Sequence, residues 1–313
     1  MSNQLSNKHL FLLLVLCLSV ITGYKLLQKD KDSRSFPTKV IDIDSSMVSE
    51  VFIYPKATQY QEVKLLKKGK GWKVDLGNGE NAAIPNSKIE GLFQGLLSIN
   101  PERLAATRRN KWKEFEVDSL GTRVRVFQGG QLVADVVIGR FSFNQQTRSA
   151  TSYFRLFNDS NVYALNGFLE FTFNQNRNGW RDNTLINFDK NSVLQLNFVY
   201  SDSSYSIAKK ENAWLSGEGN RLDSLKVDEY LTSLANLKGS EFVNGIDTEH
   251  LSNPSFSLRI ETFDSGTIKV DGYVDVTQPF IVSNLNPSSC FDPTSGNLIK
   301  KLFVGKGSFQ GLP

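Results

Sequence analysis

The sequence feature that most constrains the fold is a pattern that occurs twice, first at residues 40–53 and again at 185–198, a shift of 145 residues. The lysine pair before Trp72 matches the pair before Trp214 at a shift of 142. An apolar helical face follows in each part at a shift of 138, and two strand positions follow at a shift of 134. A shift that falls gradually is typical of a second copy with a few loop deletions. The sequence therefore predicts an internal duplication.

Each copy of the pattern predicts strands, then one helix, then further strands. Glycine turns at 69–71 and 129–130 separate alternating apolar runs, which is typical of β-hairpins. Apolar residues that recur every three or four positions within 89–99 predict one helical face packed on a sheet. We therefore predict an α+β fold of two tandem related units that follow an N-terminal membrane helix. Each unit is mainly antiparallel β-sheet with one amphipathic helix packed on it.

The domain boundaries follow from the same pattern, and the length of 313 residues fits two units better than one. The polar linker contains Pro37, and the glycine-rich tail is expected to fray. The predicted segments are a cytoplasmic stub and membrane anchor or signal at 1–30, a linker at 31–39, a first α+β unit at 40–179, a junction at 180–184, a second α+β unit at 185–304 and a tail at 305–313.

The apolar run Leu10–Tyr24 predicts a membrane-targeting segment. Its helical length of about 22 Å reaches the roughly 30 Å of a hydrocarbon core only if the helix continues to Leu27, with Lys25 extending to the interface. Three fates are open: an uncleaved anchor, a cleaved signal peptide, or a lipoprotein signal with Cys17 acylated. The anchor is favoured because few small residues precede a cleavage point and the bulky Leu16 precedes the cysteine. We expect a single-pass inner-membrane protein with most of its chain in the periplasm.

The charged residues give no sign of a nucleic-acid partner. The 36 basic and 32 acidic residues are spread along the chain, and the basic run at 108–113 is followed directly by Glu114 and Glu116. Histidine is the usual general base near neutral pH, and the chain has only His9 and His250. We therefore expect no nucleic-acid partner, no cofactor and no catalytic residue.

The remaining reactive side chains are also few. Asp247, Glu249 and His250 are possible metal ligands, but three neighbours in one loop rarely converge on an ion without a second segment. We therefore interpret them as a surface loop and expect no metal site. Cys17 and Cys290 cannot form a disulfide framework, and Cys290 is expected to be a small buried side chain.

The junction carries the run Trp180-Arg181-Asp182. Arginine can bind a carboxylate through two hydrogen bonds, and tryptophan can cover such a pair from water. We interpret the three residues as a structural clamp, either an ion pair or a capped turn, that holds the two copies in a fixed orientation. Asp182 and Asp189 are also the first carboxylate pair to consider for hydrolysis of a glycan.

Several short motifs are spread along the chain after residue 40: Gly71-Trp72, Ile138-Gly139, Tyr153-Phe154-Arg155, Val162-Tyr163 and Trp180-Arg181-Asp182. Through these motifs the sequence resembles a bacterial family known as domain of unknown function 4340, over roughly residue 40 to the C-terminus. The resemblance implies a short membrane segment and the strand pattern described above, and it names no functional residues. Some relatives occur beside ABC-transporter auxiliary proteins, which implies a partner in a membrane complex.

Two functions remain open. The first is a membrane-anchored periplasmic, non-catalytic interaction or accessory module attached to an ABC-transporter or envelope complex, with a membrane or envelope protein as its partner. Exposed strand edges or a groove would bind that partner. The alternative is a periplasmic cell-wall polysaccharide hydrolase or binder that uses paired carboxylates. The alternative predicts a cleft with two carboxyl groups about 5 to 9 Å apart.

Overall fold

The structure is a computed structural model that describes residues 19, 36–37, 39–77, 79–247, 251 and 253–311. The predicted membrane segment Leu10–Tyr24, apart from Ser19, lies outside these ranges, as do His9 and His250. Within the part of the chain that the structure describes, no helix has the length and apolar character needed to cross a bilayer.

The strands follow the predicted hairpins. Their bounds are β1 Val48–Tyr54, β2 Val63–Lys68, β3 Gly71–Gly77, β4 Glu80–Ile84, β5 Arg103–Ala106, β6 Thr122–Gln128, β7 Gln131–Asn144, β8 Ser149–Leu156, β9 Val162–Asn166, β10 Val193–Tyr200, β11 Ser204–Lys210, β12 Ala213–Ser216, β13 Phe242–Val243, β14 Phe256–Thr262, β15 Gly266–Tyr273, β16 Phe280–Ser283 and β17 Cys290–Phe291. The helices are α1 Asn86–Leu97, α2 Glu170–Phe173, α3 Arg177–Trp180, α4 Ser224–Leu234 and α5 Leu298–Leu302.

The strand pairs that the structure describes are antiparallel, which confirms the predicted α+β class with mainly antiparallel sheet. Six strands are hydrogen-bonded neighbours in the order β1-β6-β7-β8-β9-β5, and β2, β3 and β4 form a meander. Eight strands follow the order β12-β11-β10-β14-β15-β16-β17-β13. Neighbours along the chain are mostly neighbours in the sheet because short turns join antiparallel strands.

The chain divides into two compact units. The first consists of the described residues up to Lys64 together with Glu90–Gln175, and the second consists of Leu65–Ile89 together with the residues from Asn176 onward. The division at 180–184, drawn from the sequence pattern, stays a prediction.

Each long helix buries the face that its sequence spacing predicts. In α1 the buried positions include Leu92 and Leu96, and in α4 they include Val227 and Leu234, all of them fully covered. Helix α4 begins after Asp223, whose carboxylate accepts hydrogen bonds from the amides of the next turn. The buried face of α4 is part of the main apolar core of the second unit.

The glycine-rich tail, predicted to fray, instead packs on the core of the second unit. Residues Lys306–Phe309 form a 3-10 helix, and Phe309 is 1% exposed. Its ring lies edge-on to that of Tyr230, with centroids 5.3 Å apart. The Phe309 side chain therefore anchors a glycine-rich segment that was predicted to fray.

Candidate functional site

Four phenylalanines of the first unit form one partly exposed aromatic cluster, here called the phenylalanine surface: Phe141, Phe143, Phe168 and Phe171. Phe143 is 50% exposed and Phe171 is 64% exposed. The centroid of the Phe168 ring lies 5.3 Å from that of Phe141, 5.5 Å from that of Phe171 and 6.2 Å from that of Phe143. These separations are typical of aromatic rings in contact, so the four side chains form a continuous apolar patch.

Two separate segments of the chain bring these rings together. Phe141 and Phe143 are two residues apart on β7, so their side chains project from the same face of the strand. Phe168 lies just before α2, and Phe171 lies within it. The sequence pattern did not predict this cluster, because alternating phenylalanines are equally typical of a covered sheet face. The polar run 144–149 directly after Phe143 was the available signal that this end of the strand is exposed.

The two chain segments that carry the phenylalanine surface contain few charged residues. The segments 141–149 and 166–175 contain one basic residue, Arg148, and one acidic residue, Glu170. Apart from the phenylalanines and Arg148, the exposed positions there carry amide or hydroxyl side chains. An aromatic centre depleted of charge with a polar rim is the usual composition of a protein–protein interface.

The predicted clamp residues Trp180 and Arg181 are both about 2% exposed. Two other segments of the second unit form hydrogen bonds with the backbone at 179–182. The ammonium group of Lys88, on α1, donates to the carbonyl oxygens of Gly179 at 2.8 Å and Arg181 at 2.7 Å. The amide of Asp182 donates to the carbonyl of Ala83 at 3.0 Å. These hydrogen bonds fix the direction in which the buried arginine points.

Arg181 and Asp182 bond to different partners. The Asp182 carboxylate accepts from the amide of Thr184 at 2.9 Å, so it caps the following turn. The Arg181 Nη1 donates to the side-chain oxygens of Asn244 at 2.7 Å and Asn178 at 3.3 Å. Of the two forms considered for the clamp, the geometry is that of a capped turn. Whether the run holds two sequence copies in orientation stays a prediction.

Burial disfavours the charged form of Arg181. It lowers the pKa of the guanidinium to about 10, against the opposing attraction of the Cys290 thiol and the Glu80 carboxylate. Burial also raises the pKa of the Cys290 thiol to about 11, so this group is neutral at pH 7. Both side chains line a cavity of about 310 Å³ in the second unit.

Asp182 and Asp189, the carboxylate pair first considered for glycan hydrolysis, each accept a hydrogen bond from a backbone amide two residues further along the chain. Asp189 is exposed and accepts from the amide of Asn191 at 2.9 Å, at the start of a 3-10 helix. Each of three cavities in the described ranges contains a single carboxylate in its lining, contributed by Glu80, Asp118 or Glu218. The polysaccharide alternative therefore gains no support from these cavities, since its chemistry needs two facing carboxyl groups.

The hairpin aromatics Trp72 and Trp214 lie on β3 and β12, and each is 7% exposed. Trp72 lies opposite Lys67 on β2, and Trp214 lies opposite Lys209 on β11. The two tryptophans thus occupy the same kind of position in two hairpins, where they pack rather than line one of the described cavities.

No group of three potential metal ligands lies together among the described residues, a range that includes Asp247 but not Glu249 or His250. Cys290 is a free, buried cysteine, as expected from its isolation in the sequence.

The model of the family described as "Domain of unknown function (DUF4340)" matches residues 72–254, more than half of the chain. The match confirms the resemblance and includes both hairpin tryptophans and the run Trp180-Arg181-Asp182. No curated protein and no solved structure gave a match.

Proposed function

The chain belongs to the DUF4340 family, and from this premise we propose that it is a non-catalytic interaction module of the bacterial envelope. The N-terminal segment anchors it in the inner membrane, and the two units lie in the periplasm. The module binds another membrane or envelope protein, and an ABC-transporter complex is the partner that the family resemblance implies.

The phenylalanine surface is the observation that carries this proposal. Leaving large aromatic side chains in water is costly, since burying one fully is worth about 1.5 to 3 kcal/mol. Two of its four rings, those of Phe143 and Phe171, are at least half exposed, and the four are contiguous. Contiguous exposed apolar patches mark interaction sites more often than isolated exposed side chains do.

The charge around the patch favours a protein over a lipid surface as its occupant. A peripheral lipid-binding face usually combines apolar side chains with several lysines or arginines, which attract anionic headgroups. In the segments that carry the phenylalanine surface, 141–149 and 166–175, Arg148 and Glu170 balance one another, so these segments carry no net positive charge. An apolar segment of a partner protein fits this surface better.

The strand orders support the proposed duplication of the module. The order β1-β6-β7-β8-β9-β5 corresponds strand by strand to β10-β14-β15-β16-β17-β13. The meander of β2 and β3 corresponds to the hairpin of β11 and β12, with Trp72 and Trp214 at equivalent positions. We interpret the two halves as copies, of which the first carries the patch of four phenylalanines.

The test replaces Phe143 and Phe171 with serine in the full-length protein in its native membrane. A photocrosslinking residue at position 141 should trap one specific protein in the parent protein. In the double variant the trapped product should fall about tenfold or more, because aromatic hot spots contribute about 2 kcal/mol or more each.

The matched control is Phe263→Ser, since Phe263 is 70% exposed and lies outside the cluster. This variant should trap the partner as the parent does, and all variants should keep the parent's melting temperature within a few degrees. Equal trapping by the double variant and the parent would overturn the proposal, and so would crosslinks that go only to lipid.

A further inference from the structure

The cavity beside Arg181 combines a buried cation with an apolar wall. Three aliphatic side chains in its lining, Leu76, Val243 and Ile246, come from β3, β13 and the loop after β13. Its volume of about 310 Å³ is at the lower end of the range for small-molecule sites. The cavity lies wholly within the second unit, whereas the phenylalanine surface lies within the first.

One edge of the Arg181 guanidinium has no acceptor among the described residues. A guanidinium has five N–H donors, and the two on Nη1 point to the oxygens of Asn178 and Asn244. The Nε–H is buried without a partner, and none of the hydrogen bonds made by described residues uses Nη2. The Nε and Nη2 atoms together form the side of the guanidinium that binds a carboxylate through two parallel hydrogen bonds.

Arg123 shows this mode of binding elsewhere in the same chain. Its Nε donates to one oxygen of Asp135 at 2.9 Å, and its Nη2 donates to the other at 2.6 Å. Arg123 thus has its carboxylate, whereas Arg181 is more buried and forms no ion pair with a described residue. Keeping an unpaired charge buried is costly, and an external anion would remove most of that cost.

The other polar groups of the cavity limit the chemical groups that a ligand can carry. The side-chain oxygen of Asn81 is buried and receives no hydrogen bond, so it offers an acceptor to a ligand N–H or O–H. The only carboxylate in the lining belongs to Glu80, which is exposed and makes no ion pair with Arg181. A ligand with a carboxylate, one nearby donor and a short aliphatic body would match all three features.

We propose that this cavity binds the α-carboxylate of an aliphatic amino acid residue, with Nε and Nη2 of Arg181 as donors. The ligand N–H donates to the side-chain oxygen of Asn81, and the aliphatic side chain lies against Leu76, Val243 and Ile246. This chemistry is shared by two sources, a free amino acid and the C-terminal residue of a peptide.

The experiment titrates the full-length protein in detergent micelles by calorimetry. N-acetyl-leucine represents a peptide C-terminus, leucine represents the free amino acid, and N-acetyl-leucinamide lacks the carboxylate. At least one of the two acids should bind, and the amide should bind about tenfold more weakly or not at all. The acid that binds more tightly shows whether the natural ligand is a free amino acid or the C-terminal residue of a peptide. No binding of either acid at about 10 mM, or equal binding of acid and amide, would overturn the proposal.

Two variants test the named groups. Arg181→Met keeps most of the side-chain volume and removes the charge, so the affinity for the acid should fall about tenfold or more. Glu80→Gln removes an exposed negative charge at the cavity and should strengthen binding of the acid by about twofold, with no effect on the amide. Glu80 is exposed, so this variant remains informative even if Arg181→Met fails to fold. Unchanged affinity in a folded Arg181→Met protein, or weaker binding by Glu80→Gln, would contradict the assignment.

Discussion

The guanidinium of Arg181 lies over the ring of Phe242, with its central carbon 3.7 Å from the ring centroid. The Phe242 ring in turn contacts that of Phe291, at a centroid separation of 5.0 Å. A stacked aromatic face stabilises a cation and excludes water from it. In this protein a buried arginine is therefore held by an aromatic ring and two asparagine oxygens, on Asn178 and Asn244, instead of by a carboxylate.

Arg181→Ala should lower thermal stability, by about 2 kcal/mol in the free energy of unfolding. The change removes the hydrogen bonds to Asn178 and Asn244 and the contact with Phe242, and it leaves a void. Thermal or urea unfolding of both proteins measures the difference. Arg181→Met should lose less stability than Arg181→Ala, because methionine fills the space and removes a charge that is costly to bury. If Arg181→Ala left stability untouched and abolished a cellular phenotype, the structural interpretation of this residue would be wrong.

Lys88→Met should also destabilise the protein, by about 2 kcal/mol. Lys88 is half-buried and its ammonium group donates to the carbonyls of Gly179 and Arg181, and hydrogen bonds from charged donors are among the stronger ones. Lys73→Met is the control, since Lys73 is exposed on β3 and should change stability by less than about 0.5 kcal/mol. Equal stability of the two variants in urea unfolding would show that the Lys88 contacts contribute little.

Gly139→Ala should destabilise the first unit by about 2 kcal/mol or more. A β-carbon at Gly139 would lie 2.1 Å from the carbonyl oxygen of Phe115 and 2.7 Å from the side chain of Val117. Backbone must move to accept it, and overpacking of this kind typically costs about 1 to 3 kcal/mol. Gly91→Ala is the control, because nothing lies within 4 Å of its would-be β-carbon and alanine favours a helix. The control should be neutral or slightly more stable; comparable losses in both variants would contradict the steric explanation.

The thiol of Cys290 should resist alkylation in the folded protein. It is 3% exposed, and with its pKa raised to about 11 on the order of one molecule in a thousand carries a thiolate at pH 8. In a Cys17→Ser background, iodoacetamide should label Cys290 only when urea is added. Mass spectrometry measures the labelled fraction, and rapid labelling without urea would mean that the thiol is reactive and accessible in the folded protein.

The same thiol makes stability depend on pH in the alkaline range. The unfolded chain loses this proton near the ordinary pKa of 9.0, whereas the folded chain keeps it to about 11. The folded state thus binds more protons between pH 9 and 11, so the stability contributed by Cys290 is lost as the pH rises through that range. Cys290→Ala should make the decrease in unfolding free energy over this range shallower. An unchanged slope would show that the thiol does not contribute.

The sequence by itself determined the types of the elements and the faces that they bury. Alternating residues around 69–71 and 129–130 gave the hairpins, and the spacing of apolar residues in α1 and α4 gave their buried sides. These patterns are readable because the repeat of a helix or strand is fixed by local backbone geometry. The family resemblance was readable for the same reason, since its motifs are turn glycines and aromatic positions in strands.

The tertiary structure alone decided which faces and side chains were left without partners. Alternation shows that Phe141 and Phe143 share a face, but only the packing of distant segments determines that the face stays exposed. The partners of Arg181 are likewise distant, since Asn244 lies 63 residues further along the chain. The sequence left open whether Asp182 pairs with Arg181 or caps the turn, and the fold directs this carboxylate to the amide of Thr184. Contacts between distant residues depend on how whole elements pack, and no local period encodes them.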